Sequence, residues 1–260
     1  MKRIVLTIFV ILMAVSCGKE ATQKNRVIAH RGFWQTEGSA QNSLTSLRLA
    51  MDNGFYGSEC DIQLTADSCF IVFHDSKLNG VYLENLTFAQ ILADTTLVNG
   101  EKISTVDEYF SEFACHGGNT KLIIEVKPQV TEEMMSLSIE RTAEAIKKFD
   151  IRDRVEIISF SYRACKELAG IFPDIPVSFL DETHNVSFSQ MKQDGIDGID
   201  YEYHCILENP DLIEEAHSKG FIVDVWTAND PEEVITMVEA GLDYVTTNRP
   251  DLMLAVLEEY

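Results

Sequence analysis

Eight short runs rich in Val, Ile and Phe punctuate this chain, with helix-forming stretches between them. They begin at Arg26 (RVIAH), Tyr56 (YGSECDIQL), Lys121 (KLIIEV), Val155 (VEIISF), Ile175 (IPVSFL), Ile196 (IDGIDYEY), Phe221 (FIVDVW) and Asp243 (DYVTT). Strands that alternate with helices predict a parallel sheet, because each helix carries the chain back to the edge where the next strand starts. Eight such units are what a (β/α)8 TIM barrel needs to close. Helix signals agree with the alternation. Asn42 precedes SLTSLRLAMDN, Thr131 precedes EEMMSLSIERTAEAIKK, and Asp230-Pro231 opens EEVITMVEAG with Gly241 as its stop. An open doubly wound sheet is the alternative, but it ordinarily carries a glycine-rich phosphate turn after the first strand. Gly32 alone is not such a turn.

One interval breaks the rhythm. The second and third strand starts lie 65 residues apart, from Tyr56 to Lys121. The excess, about residues 67–118, contains a hairpin-like stretch through DSCFIVFHD and two helical segments, near Leu86 to Ala93 and Thr105 to Ala114. It is expected to form a small insertion on the C-terminal face of the barrel, where such enzymes build their sites. The remainder, residues 26–260, suits one large domain.

Residues two apart on a strand share a face, so Glu59 and Asp61 project together, as do Glu125 and Lys127. Either pair alone could be an exposed alternation. Parallel barrel strands are covered on both faces, however, and charge within them is costly unless paired or bound to a metal. Glu59, Asp61 and Glu125 are therefore candidate ligands for one divalent cation with oxygen preference, Mg2+ or Ca2+. No His/Cys cluster has the spacing that zinc favours. His30 ends the first strand, and His74 follows FIVF and precedes Asp75, which could orient its imidazole. Two histidines at one barrel mouth can serve as general base and acid. Arg31 and Lys127 would stabilise charge on a phosphoryl group.

His30-Arg31-Gly32 resembles the opening motif of the glycerophosphodiester phosphodiesterase family. The segment ECDIQLTADSCFIVFHD is similar to that family's signature, with Glu59, Asp61, Thr65, Asp67, His74 and Asp75 on its positions. Glu125-Val126-Lys127-Pro128 resembles the third element, and Val225-Trp226-Thr227 and Thr246-Thr247-Asn248 the last two strand ends. The resemblance implies a TIM barrel with a small insertion after the second strand, and hydrolysis of glycerophosphodiesters to glycerol 3-phosphate and an alcohol. It further implies that Glu59, Asp61 and Glu125 hold the cation, that His30 and His74 are the acid/base pair, and that Arg31 and Lys127 contact phosphate. A hydroxyl of the substrate's own glycerol as first nucleophile, giving a cyclic phosphate that water opens, is implied by the family alone. Two departures stand out. Gln41-Asn42-Ser43 replaces the usual Glu-Asn-Thr, and Ser68 replaces a turn glycine. Trp226 is expected to contact the pocket, with weaker claims for Phe160, Tyr201 and Tyr203. Asn229 and Asn248 are expected to cap turns, and His116, His184, His204 and His217 show no partner pattern. A lyase that stops at the cyclic phosphate and a non-catalytic binding protein on a retired barrel are the competing readings.

The N-terminus carries Lys2-Arg3, a largely apolar run from Ile4 to Val15, and Ser16-Cys17. This is the form of a secretory signal, residues 1–16, and the run is shorter than the roughly 20 residues that span a bilayer. Ala14-Val15-Ser16-Cys17 resembles the bacterial lipoprotein box, which implies lipidation at Cys17, a short tether over 17–25, and a lipid-anchored place in the bacterial cell envelope. The whole chain has 42 acidic against 21 basic residues, a formal charge of -21. That balance excludes nucleic acid as a partner and would repel an anionic membrane, so attachment is expected through the lipid. Beyond Cys17, five scattered cysteines form no Cys-x-x-Cys pair and are expected to be small buried hydrophobes.

Overall fold

The computed structural model describes residues 25–260. The signal segment and Cys17 lie outside the described residues. In chain order the elements are β1 (Val27–Ala29), α1 (Leu44–Asp52), β2 (Gly57–Leu64), β3 (Phe70–Val72), β4 (Lys77–Leu78), β5 (Val81–Tyr82), α2 (Phe88–Asp94), α3 (Val106–Cys115) and β6 (Lys121–Val126). They continue as α4 (Glu132–Lys148), β7 (Val155–Ser159), α5 (Tyr162–Ile171), β8 (Val177–Asp181), α6 (Phe188–Gln193), β9 (Gly198–Glu202), α7 (Tyr203–Leu207), α8 (Asp211–Ser218), β10 (Ile222–Trp226), α9 (Pro231–Glu239), β11 (Tyr244–Thr247) and α10 (Pro250–Glu259). Eight of the strands, β1, β2 and β6 to β11, are parallel, and β1 closes the ring by pairing with both β11 and β2. The fold is the expected (β/α)8 barrel with its insertion between the second and third barrel strands.

Outward side chains of the barrel pack on the helices in one large apolar core. Inside, Ile28, Ile123, Ile158, Leu180 and Tyr244 form a separate cluster, with Tyr56, Ile222 and Trp226 against it. Both faces of β2 are buried along its whole length, which is why these strands read as near-continuous apolar runs. Several begin one or two residues later than the hydrophobic pattern predicts: Val177 instead of Ile175, and Gly198 instead of Ile196. Apolarity marks burial, and burial extends past the hydrogen-bonded ladder. Two helices, α7 and α8, separate β9 from β10.

The insertion is fixed to the barrel by register. β1 pairs with β2 only at Gly57 and Ser58, so the upper edge of β2 is left open. β3 takes that edge, running antiparallel against Ile62, Gln63 and Leu64. The insertion then buries its own small cluster of Ile71, Leu83, Ile91 and Ile103. Its helices start where hydroxyl caps stand, at Thr87 for α2 and at Thr105 for α3, each closed by a capping box. For α1 the cap is Ser43, whose hydroxyl accepts from the backbone N–H of Ser46. Asn42, expected at this helix start, is freed for another contact.

Gly57 tests the packing inside the ring. A Cβ there would stand 2.8 Å from Cγ1 of Ile123 and 3.2 Å from Cγ1 of Ile28. Overpacking of this kind costs about 1–3 kcal/mol. Gly57→Ala should lower the urea midpoint of unfolding accordingly, and an unchanged midpoint would mean that the interior isoleucines give way freely.

Candidate active site

The first turn after β1 assembles one wall. Arg31 and Gly32 both adopt left-handed backbone, with φ of 57° and 76°. A Cβ on Gly32 would collide with Ser46 at 2.5–2.8 Å, so glycine is required by both conformation and space. This turn points the Arg31 N–H at Glu59 Oε2, 2.7 Å away, and brings its guanidinium Nε to 3.7 Å from Asp61 Oδ2. Gln41 accepts from Arg31 at 2.6 Å. Because that partner is a neutral amide, it leaves the Arg31 charge to the carboxylates and to a bound anion.

Glu59 and Asp61 come from β2, and Glu125 from β6, where Asp61 and Glu125 stand in register. All three are buried. One carboxylate oxygen from each can be chosen so that the three lie within 4.8 Å of one another. Lys127, just past β6, reaches Glu125 Oε1 at 2.9 Å and Asp61 Oδ1 at 3.3 Å. Oε1 of Glu59 has no hydrogen-bond partner among the described residues. Burial, then the charges of Asp61 and Glu125, raise the Glu59 pKa well above the carboxylate range. The same causes, burial and then Asp61, lift Glu125 to about 7. Burial alone would raise Asp61 too, but Lys127, His74 and Arg31 outweigh it and hold it at about 2. Orphaned oxygens and strained like charges are what a hard cation relieves, so the trio fits a metal.

The two histidines flank this trio and are held from behind. His30 Nδ1 lies 2.8 Å from Asn248 Oδ1, and its Nε2 is 3.9 Å from Glu59 Oε2. Burial, and then the Arg31 charge, push its pKa down to about 4. His74 Nδ1 lies 2.8 Å from Asp75 Oδ1. Acceptor oxygens at both Nδ1 atoms assign the proton there and leave each Nε2 facing the site. The N–H of Phe73 donates to the Asp61 carbonyl, which ties the His74 segment to the ligand strand.

Sequence reasoning missed four contributors. Asn42 donates to Asp61 Oδ2 at 2.8 Å and accepts from the Asp61 N–H, so it positions a carboxylate instead of capping a helix. Asn248 orients His30, while Asn229 accepts from the Asn248 N–H and the Thr247 hydroxyl, so neither merely caps a turn. Asp200, from β9, lines the cavity with both oxygens unpartnered among the described residues. Its signal was available: alternation along β9 turns Asp200 inward and Tyr201 outward. Trp226 and Phe160 also line this cavity of about 100 Å3, their rings edge to face at 5.3 Å. Tyr201 does not. It packs in the outer core with its hydroxyl 3.0 Å from His184 Nδ1, because alternation turns it away from Asp200. Tyr203 starts α7 and is absent from the cavity lining. His116, His204 and His217 pair with Asp52, Glu202 and Asp243 outside the cavity lining.

A model described as the glycerophosphoryl diester phosphodiesterase family matches residues 30–252. The chain belongs to that family. Its members are phosphoric diester hydrolases. A glycerophosphodiester phosphodiesterase of Parabacteroides distasonis shares 36% identity with a TM-score of 0.84, over 90% of this chain and 97% of that one. A glycerophosphodiester phosphodiesterase of Caldanaerobacter subterraneus is 26% identical over 91% of this chain and 99% of its own. The fold is also that of an Oleispira antarctica phosphodiesterase solved with the product sn-glycerol-3-phosphate, at 22% identity and a TM-score of 0.76, covering 90% of this chain and 96% of that one.

Asp200 and its register partner Asp224 are two buried carboxylates on adjacent strands. Burial raises both pKa values well above the carboxylate range. Between that raised range and the unfolded value of about 3.9, the folded chain holds protons that the unfolded chain has released. Stability should therefore be greatest on the acid side of this window and fall as pH rises through it. Denaturant midpoints of wild type and of Asp200→Asn/Asp224→Asn, measured from pH 5 to pH 8, check this: the double variant should show a shallower decline.

Proposed function

We propose that the chain hydrolyses glycerophosphodiesters to glycerol 3-phosphate and an alcohol in a metal-dependent reaction, with His30 and His74 as the acid/base pair. The observation that carries this reading is the buried Glu59-Asp61-Glu125 trio, with an orphaned oxygen on Glu59, between two histidines whose far nitrogens are already engaged. Arg31 and Lys127 bind the phosphoryl oxygens and neutralise charge as it grows there. His30 has a neutral amide behind it and a depressed pKa, which suits a base that takes the proton of the attacking hydroxyl. Burial lowers the His74 pKa as well, but Asp61 and the Asp75 carboxylate behind it pull the other way and favour an imidazolium, which suits the acid that protonates the leaving alcohol. A cation held by the trio, Mg2+ or Ca2+, supplies further charge stabilisation when bound. Trp226 and Phe160 wall the cavity on its apolar side.

Release of glycerol 3-phosphate from a panel of glycerophosphodiesters should vanish with chelator and return with Mg2+ or Ca2+. His30→Ala and His74→Ala should each lower kcat by about 100- to 10,000-fold. Glu59→Gln should abolish the metal response. Turnover that survives both histidine changes would place the chemistry elsewhere, and a cyclic phosphate as final product, seen by phosphorus NMR, would make the enzyme a lyase.

The same reading includes a lipid anchor. Cys17 in its lipoprotein-like box supports attachment to the cell envelope, since the chain's acidity gives no electrostatic hold on an anionic bilayer. Cys17→Ala should move the protein from the membrane fraction to the soluble fraction. Unchanged membrane retention would reject the anchor.

A further inference from the structure

The carboxylate trio does not account for every stranded oxygen in the cavity. Side chains inside a closed parallel barrel stack in layers of four, each layer supplied by alternate strands. Traced around the ring, the registers place Glu59, Ile158, Asp200 and Thr246 in one layer, from β2, β7, β9 and β11. All four line the cavity of about 100 Å3. β2 and β9 stand on opposite sides of the ring, so Glu59 and Asp200 face each other across its axis. Oε1 of Glu59, both carboxylate oxygens of Asp200 and Oγ1 of Thr246 have no hydrogen-bond partner among the described residues. Exposure is only 2% for Glu59, 1% for Asp200 and 2% for Thr246, so water does not compensate them. Lys127 and Arg31 lie against Asp61 and Glu125. Burial, and then the charges of Asp224, Glu125 and Glu59, raise the Asp200 pKa.

We propose that this layer holds a second divalent cation beneath the one at the trio, with Asp200 and the Thr246 hydroxyl as its own ligands and Glu59 shared between the two ions. The inference goes beyond the reading above and rests on its trio cation. Hard cations take carboxylate and hydroxyl oxygens and fill their remaining positions with water. A carboxylate with one oxygen for each ion is the natural bridge of such a pair, and paired ions about 3.5–4 Å apart recur where phosphoryl groups are transferred. Charge balance favours two ions over one. Glu59, Asp61, Glu125, Asp200 and Asp224 are all buried in the interior, against the two bases Arg31 and Lys127. With one divalent ion and a phosphodiester anion in place, two negative charges are left without a counter-charge in an apolar interior, where they are costly. A second divalent ion cancels both. In the ion-free protein protons serve instead, and the ion displaces them.

Metal-stripped protein titrated with Mn2+, which takes the same kind of oxygen site as Mg2+ and Ca2+, tests the layer without any turnover. Equilibrium dialysis with elemental analysis should count two ions per chain. Electron paramagnetic resonance should show the exchange-coupled spectrum of a close pair in place of the simple hyperfine sextet of an isolated ion. Asp200→Asn keeps the shape of the side chain and should bind one ion with the isolated-ion spectrum, and Thr246→Val should weaken the second ion while sparing the first. The denaturant midpoint of Asp200→Asn in metal-free buffer should not fall below that of wild type, since the change removes a buried carboxyl with no partner, so a lost ion is then not a lost fold. One ion per chain in wild type, kept by Asp200→Asn and lost in Glu125→Gln, would overturn the second site and leave the trio cation standing. Two ions that both survive Asp200→Asn would overturn it as well, and no bound ion at all would overturn the trio reading with it.

Discussion

Three carboxylates are buried together at one end of a barrel, and the surrounding structure is arranged around the cost of that burial. Glu59, Asp61 and Glu125 repel one another in a medium too apolar to screen them. Lys127 and Arg31 supply the positive charge on one side, and Asn42 and the Arg31 backbone N–H supply hydrogen bonds on the other. Each of these contacts needs a particular local geometry. The left-handed Arg31-Gly32 turn aims the N–H, and the shift of the α1 cap to Ser43 releases Asn42.

Compensation is incomplete at the trio, where a bound cation would supply relief, and it is also incomplete at Asp200. That residue stands in register with Asp224, and neither of its oxygens has a hydrogen-bond partner among the described residues. The interior of this barrel is thus divided into an apolar floor built around Ile123 and Tyr244 and an acidic upper layer of Glu59, Asp61, Glu125 and Asp200.

Much of this was legible in the sequence, for a physical reason. Parallel strands covered on both faces must be apolar throughout, so the eight runs show themselves, and any charge inside them is conspicuous. Glu59, Asp61 and Glu125 were readable on that ground, Lys127 owed its role mostly to the family resemblance, and the 65-residue interval exposed the insertion. What stayed hidden depends on pairing across the chain. Asn248 meets His30 from 218 positions away, and Asn42 meets Asp61 from 19. Asparagine is at home in turns, so nothing local distinguishes one that orients a histidine from one that closes a loop. Tyr201 was misplaced because a strand end was read without its alternation, which sends Asp200 inward and its neighbour out.

The short β1 ladder divides the site between two kinds of strand. By yielding the upper edge of β2, it lets β3 join the sheet antiparallel, and His74 follows that edge strand instead of a barrel strand. The carboxylate trio and His74 are therefore carried by different parts of the molecule. The trio is fixed by the parallel register of β2 and β6, so loops beyond β3 can change length without disturbing it.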